Sequence, residues 1–323
     1  MTSLQDLGRF GFQRFGVSPA GAMDPEALTR ANILVGNPAG TAAIEFCMLG
    51  GTFLVESTSL QIGFAGGGAT LSVAGRNVPA LTGAIAEIGE TVAVGPMSDG
   101  VYGYLAIAGG FDVRPELGSL SVHRRAGLGG RPLQRGDVIP VHGLERGKPI
   151  MRLPQVDPGP PTPIRIILGP QDEFFTPEAI ANLLSAPFSI SGQADRMGIR
   201  LTGPLLEHTK GFNVVSDGIV TGHIQVPGDG QPIVLMRDRQ TTGGYPKIAT
   251  IISADLSRFS QMRPGTEVLF SAVSREEAII LWRTAQDRLA ELVQHLAPVD
   301  VRLSSAHLLG TNLISGVISG DLE

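Results

Sequence analysis

The sequence predicts a mostly β fold in two parts, with about three helices at its periphery. Three observations carry this. The 323 residues include 43 glycines and 23 prolines, spread evenly and mixed with valine, isoleucine and threonine, which indicates many short strands and tight turns. Helix-start signals occur at only three places. The stretch Leu153–Pro163 holds five prolines and one glycine; it fits neither helix nor central strand and is expected to be a linker.

Taken in order, the first part is residues 1–152. Asp24-Pro25-Glu26 is an N-cap, an N1 proline and a first-turn acid, and Leu28, Ala31, Leu34 and Val35 give the apolar stripe of a helix that Gly36 stops. Strands are expected at Leu60–Phe64, Thr70–Val73, Val92–Val94, Tyr104–Ala108 and Val138–Val141. Gly66-Gly67-Gly68 lies between two of these and is expected to be a hairpin turn, not a dinucleotide site. The linker spans 153–163. The second part, 164–297, opens with Ile164–Leu168 as a strand, and Thr176-Pro177-Glu178 repeats the helix-start signal to about Ser185. Strands follow at Ile199–Leu201, His223–Val226, Pro232–Met236, Ile248–Ile252 and Val268–Phe270. Ser274 to Glu277 is a capping box that opens a long amphipathic helix to about Leu296. The tail, 298–323, carries Leu308-Leu309, Leu313-Ile314 and Val317-Ile318, spaced for a helix packed on the body or on a partner. Ile88–Val92, Arg135–Ile139 and Pro264–Val268 each read as a turn glycine, polar residues and a β run. Related halves would give this echo, and so would any β-rich chain.

Composition excludes several function classes. A net charge of −5 without a basic block argues against nucleic acid, and one tryptophan and three tyrosines make few stacking platforms. The single Cys47, in the apolar stretch Ile44–Leu49, excludes an internal disulfide. Without a secretory leader pattern the cytoplasm is the expected location, and no apolar run reaches the ~18 residues of a membrane span. The six histidines show no metal-ligand spacing, so no metal is expected. Gly143–Lys148 imitates a phosphate loop, but its glycine spacing is one short and Pro149 replaces the Ser/Thr.

Three polar clusters remain. Gln5–Arg9 runs on to Ser18 and Asp24 at a helix N-terminus, where backbone N–H groups favour an anion or a polarised carbonyl; the simpler role for Asp24 is the helix cap. Gln193–Gly198 contains Asp195 and Arg196, a substrate clamp or a plain ion pair. The richest is Asp238–Ala249, a polar, glycine-hinged run between apolar strands. It offers Gln240, Thr241, Thr242, Gly243, Gly244, Tyr245 and Lys247. Lysine is scarce here, three against 22 arginines, and lysine can lose its proton when desolvated whereas arginine effectively cannot.

Together these clusters resemble the KipA family, also called the allophanate hydrolase subunit 2 or carboxyltransferase A–B subdomain family. The matching pieces include QDLGRFGFQRFG (5–16), VSPAGAMD (17–24), ANILVGN (31–37), GPQDEFFTP (169–177), DRMGIRL (195–201), SDGIV (216–220), Gln225–Val234 and Asp238–Ala249. They span nearly the whole chain in order. The resemblance implies cyclophilin-like β-barrel halves, carboxyltransferase subdomain A over 1–152 and subdomain B over 164–297. It implies a hetero-oligomer with a KipI-type partner, the B component of such complexes. Bacterial members include the C component of the ATP-dependent 5-oxoprolinase, whose A component is a LamB/YcsF-type protein. Other members act on urea or a similar amide with biotin, which here would come on another chain, and KipA itself is a regulator that binds the KipI kinase inhibitor. The shared substrate chemistry is a small amide. Urea-acting members resemble one another in a Gly-Pro-Ser-Leu-Gly-Gly-Phe-type sequence where this chain has Arg239–Tyr245, and they lack the lysine at Lys247, so the resemblance favours the oxoprolinase-type branch. It implies Lys247, Asp195 and Asp24 as catalytic residues and Gln240, Thr241, Thr242, Gly243, Gly244, Tyr245, Arg196 and Ser18 as substrate-binding ones. ATP would be bound by the complex. The family's strand ahead of Gln5 is expected to be missing, because only Met1–Leu4 precede it.

Overall fold

A computed structural model describes residues 1–56, 58–142, 149–155 and 162–299. The phosphate-loop imitation at 143–148, the linker prolines at 156–161 and the apolar tail from residue 300 lie outside the described residues.

The first part is two antiparallel sheets packed face to face. Their strands are β1 (Thr2–Gln5), β2 (Ala43–Cys47), β3 (Gly51–Leu54), β4 (Leu60–Ala65), β5 (Leu71–Val73), β6 (Arg76–Val78), β7 (Ala84–Ala86), β8 (Thr91–Val94) and β9 (Tyr102–Ile107). One sheet has the order β1-β2-β9-β4-β7 and the other β3-β8-β5-β6. A strand ahead of residue 6 is present after all: β1 pairs with β2 from Thr2↔Phe46 to Gln5↔Ala43. The three-glycine run is not a hairpin. It is a corner, because β4 and β5 belong to different sheets, and Gly66, Gly67 and Gly68 all take positive φ to turn it. Val138–Val141 is likewise not a strand and makes one bridge, Phe111↔Val141. Its neighbours Arg131 and Asp137 form their own ion pair, which closes the segment as a loop.

The second part is one eight-stranded sheet. Its strands are β11 (Ile164–Leu168), β12 (Phe188–Ala194), β13 (Gly198–Thr202), β15 (His223–Gln225), β16 (Ile233–Leu235), β18 (Lys247–Ile251), β19 (Glu267–Val268) and β20 (Phe270–Ala272), in the order β19-β12-β13-β16-β15-β18-β11-β20. The expected strand Val268–Phe270 is split at Leu269 into β19 and β20, which form the two edges of the sheet and nearly close it into a barrel. Two short pairs complete the list: β14 (Asp217–Gly218) with β17 (Thr242–Gly243), and β10 (Met151–Arg152) with β21 (Ala297–Pro298).

Among the described residues four α-helices stand outside the sheets: α1 (Pro25–Leu34), α2 (Pro177–Ser185), α3 (Leu256–Ser260) and α4 (Arg275–Glu291). Three start where the caps predict, with Asp24, Thr176 and Ser274 accepting from the N3 amide and Ser274 completing its capping box. The short α3 has no side-chain cap, which is why no sequence signal marks it. No described helix is long and apolar enough to cross a membrane.

The parts share a core. Leu28 and Ala31 of α1, its C-cap Val35 and Tyr104 of β9 pack in one cluster with Ile164, Phe188, Ile224 and Ile248 of the barrel. A separate cluster, including Phe46, Ile62, Leu71 and Val92, fills the space between the first part's sheets.

Candidate functional site

Strand alternation builds the site. Along β13, β16 and β15 the residues Ile199, Leu201, Val234 and Ile224 are buried in the barrel core. Their neighbours Gly198, Arg200, Ile233, Leu235 and Gln225 therefore face outward, where they floor a cleft of about 430 Å³. Gln193 and Asp195 wall one side and Gln240 and Tyr245 the other. A register shift in β12 between Ile190 and Ala194 swings the strand end over the cleft. Asp195 is fixed there by its own turn, with Oδ1 accepting from the amides of Met197 (2.7 Å) and Gly198 (3.1 Å). A larger cavity of about 840 Å³ lies in the first part, walled by Phe53, Leu60, Ile107 and Val141 among others. It is chiefly aliphatic and contains none of the predicted site residues, so size and chemistry point to different places; the convergent polar side chains favour the smaller cleft.

Lys247 sits beside this floor. It pairs with Gln225 across β15–β18, where the register shifts between Ile224 and Gln225. Lys247 is fully buried, 0% exposed, because the β14–β17 ribbon lies over it. Its Nζ donates to Oδ2 of Asp217 at 2.9 Å, and this carboxylate lies on the ribbon with its side chain 57% exposed. The ribbon comes close enough that a Cβ on Gly243 would stand 2.6 Å from Nε2 of Gln225, so a larger residue there would push the Gln225 carboxamide aside. The bond from Lys247 holds the Asp217 carboxyl below the usual carboxylate range. His223 is also buried; burial, then Lys247, then Arg239 push its imidazole down to about 4, so it is neutral at pH 7. Its Nδ1 accepts from the Val220 amide at 3.3 Å. Arg239, 2% exposed, donates to the carbonyl of Ile219 and to Oγ1 of Thr221. Burial, with Arg237 adding repulsion, pushes its pKa down to about 10.

Arg196 points the other way, into the seam between the two parts. It donates to both oxygens of Asp238 (2.9 and 2.8 Å), to Glu45 (2.5 Å), to the Gly21 carbonyl (2.7 Å) and to Gln5. Burial would lower its pKa, but Glu45 and Asp238 outweigh that and raise it. Glu45 in turn accepts from Tyr104 Oη and the Met23 amide. Asp24 joins the same seam: its Oδ1 caps α1 and its Oδ2 accepts from Gln261. Ser18 is paired with Nε2 of His123 at 2.6 Å. His123 Nδ1 accepts from the Ala126 amide, which leaves the proton on Nε2 and makes Ser18 the acceptor, an arrangement that does not activate the hydroxyl.

The structure thus brings Asp195, Gln240 and Tyr245 together in the cleft and places Lys247 next to it under the ribbon, of which Thr242 and Gly243 form one strand. The Thr241 carbonyl accepts from the Ile219 amide, and Gly244 sits on the same run. Asp24 and Arg196 stand apart, within the seam, and Ser18 lies inside the first part with His123. Sequence reasoning assigns no role to Asp217, Gln225, His223 or Arg239. Asp217 and Gln225 lie in motifs that carry the resemblance; only tertiary pairing shows that they meet Lys247. No group of three or more His, Cys, Asp or Glu side chains gathers as a metal site among the described residues.

A family model described as the carboxyltransferase domain, subdomain A and B, matches residues 15–272. The chain is 37% identical to the C subunit of 5-oxoprolinase from Escherichia coli over 283 residues, covering 86% of this chain and 90% of that protein. It is 31% identical to the urea amidolyase of Saccharomyces cerevisiae over 301 residues, 86% of this chain but 16% of that one. The solved structure of TTHA0988 superposes with a TM-score of 0.77 at 36% identity, covering 84% of this chain and 53% of that one. This chain therefore spans about half the length of that solved relative.

Proposed function

This chain belongs to the carboxyltransferase subdomain A and B family, and from that premise we propose that it is the C-type subunit of a heteromeric, ATP-dependent 5-oxoprolinase. The observation that carries this is the 37% identity to the C subunit of the E. coli 5-oxoprolinase along 90% of that protein. The partners would be a KipI-type and a LamB/YcsF-type chain. ATP belongs to the complex, where it would supply the driving force for ring opening.

The cleft suits an N–C=O group. The carboxamides of Gln225 and Gln240 each offer a donor and an acceptor, and Tyr245 a hydroxyl. Opening the lactam adds water across the C–N bond: the carbonyl carbon gains the oxygen and the ring nitrogen a proton. Negative charge gathers on the carbonyl oxygen, and a cation held out of water stabilises such charge strongly. Lys247 fills that role, with Asp195 orienting the substrate at the cleft wall.

Replacing Lys247 with methionine is expected to lower activity of the assembled enzyme at least about a hundredfold, the usual scale for removing one such group. Full activity in the Lys247→Met enzyme would refute the assignment. Growth on 5-oxoproline as sole nitrogen source should need this gene. The relation to yeast urea amidolyase supports a second reading, a biotin-dependent carboxyltransferase component acting on urea or a similar amide. Avidin added to the assembled complex separates the two, because only the biotin route stops.

A further inference from the structure

The core of the first part is unfinished among its described residues. Facing sheets normally interdigitate across about 10 Å and leave few voids larger than a water molecule. Leu71, Val73 and Val94 of β5 and β8 pack in this way. Beside them, where β3 and β1 are edge strands, the sheets enclose the cavity of about 840 Å³. Ile44, Ile62 and Leu105 line it from one sheet, and Phe53 and Val92 from the other. At its rim Leu54 is 60% and Val138 75% exposed. Glu56, Arg135 and Asp137 are its charged lining residues, and Asp137 is already paired with Arg131. Aliphatic walls of this extent call for aliphatic side chains, because apolar surface gains by leaving water.

The described chain ends next to this cavity. The Val299 amide donates to the Ile150 carbonyl at 2.8 Å, continuing the β10–β21 pair. The adjoining Pro149 carbonyl accepts from Nε2 of Gln61 at 3.2 Å. Gln61 stands on β4 between Leu60 and Ile62, and strand alternation turns those two toward the cavity they line. One sheet thickness therefore separates this end of the chain from the cavity wall. Residues 300–307 can span at most about 26–29 Å, more than the ~10 Å of one sheet layer. They lead to residues 308–318, which hold Leu308-Leu309, Leu313-Ile314 and Val317-Ile318 and carry no charged side chain. We propose that these three apolar pairs seat in the cavity and complete the core of the first part. Tethering favours this occupant over a partner subunit or a free ligand, since a short linker presents its segment at an effective concentration on the order of millimolar.

Cross-linking of the full chain tests this. In a Cys47→Ser background, Val138→Cys at the rim is combined with Leu313→Cys in the tail and treated with a short bismaleimide. A link within one chain is expected. None is expected when Val215→Cys, at a 93% exposed position on the second part, takes the place of Val138→Cys. Absence of a link within the chain overturns the proposal, and so does equal linking at both positions. Links only between chains also overturn it and assign the cavity to a second copy. An independent measurement uses the dye anilinonaphthalenesulfonate, which reports exposed apolar surface. Leu313→Asp with Ile314→Asp should raise its fluorescence several-fold over the native full chain while urea unfolding stays cooperative. Where that variant does not fold, the cross-link decides. No gain in the folded variant overturns the proposal and leaves the cavity open to a partner or a free apolar ligand.

Discussion

Two buried cation sites meet in sequence where Asp238 precedes Arg239, and they are balanced in opposite ways. Arg196, in the seam, meets two buried carboxylates, Asp238 and Glu45, and two further oxygens. Every face of its fork is engaged, and Glu45 is itself tied to Tyr104 and the amide of Met23. Lys247, under the ribbon, has one exposed carboxylate, Asp217, and Arg239 bonds only to the neutral Ile219 carbonyl and Thr221 hydroxyl. A buried charge matched from within the chain is architecture; one left short is available to a ligand. Arg196 joins the two parts of the chain, because Glu45, Gln5 and Gly21 come from the first and Asp238 from the second. The adjacent Asp195 faces the cleft, so a one-residue step separates the substrate wall from the latch behind it.

The sharpest way to break this contrast is to remove the matched cation. Arg196→Met strands Asp238 and Glu45 in the seam without their partner, and truncating one side of a buried ion pair typically costs about 3–5 kcal/mol. Urea unfolding should show a loss of that order. A loss below about 1 kcal/mol would mean that Arg196 is not the latch and is free to bind substrate, the role its place beside Asp195 suggests in the sequence.

The second test titrates the unmatched site. His223 binds its proton at about 4 in the folded chain against 6.5 as the ordinary value. Between those values the unfolded chain holds the proton and the folded chain does not. The contribution of His223 to stability is therefore fully present above pH 6.5 and is lost as pH falls toward 4. It is of order 3 kcal/mol, at about 1.4 kcal/mol per unit. Unfolding midpoints between about pH 4.5 and 7.5 should fall more steeply with acid for the native chain than for His223→Gln. Parallel curves would mean that His223 is neither desolvated nor repelled by the cations beside it, and the contrast with the seam would fail.

How far the sequence discloses this arrangement follows the range of the interactions involved. Caps at Asp24, Thr176 and Ser274 are local, and each marks its helix correctly. Strand runs such as Leu60–Phe64 and Ile164–Leu168 are legible for the same reason, since alternation and apolar content are written in a few adjacent residues. The corner at Gly66–Gly68 is not, because a glycine turn looks the same whether the next strand pairs with the last or leaves for another sheet. The site divides the same way. Asp195, Gln240 and Tyr245 announce themselves as polar residues in glycine-rich loops, and the cleft contains them. Arg196 has the same local signature as Asp195, and only the turn at 195–198 sends the two side chains to opposite sides. The pairing of Lys247 with Asp217, 30 residues away, needs both the β15–β18 register and the ribbon, neither of which has a local signature.

The smallest expected effect completes the contrast. Lys247→Met removes a cation as buried as Arg196, yet it strands no buried acid, because Asp217 is solvated on the ribbon. Methionine is close to lysine in volume and sheds the cost of holding an ammonium out of water. It also removes one of the charges that disfavour protonation of the neighbouring imidazole, so His223 should titrate closer to its ordinary range. The change in unfolding free energy should therefore stay below about 1 kcal/mol, the scale of a half-exposed ion pair, even though the same substitution is expected to abolish activity. The Asp217 carboxyl, freed of its donor, should titrate closer to the ordinary aspartate range, which NMR can follow directly. A loss of several kcal/mol on Lys247→Met would put Lys247 in the same class as Arg196, as a piece of the frame, and would remove the physical ground for reading the ribbon cluster as a binding site.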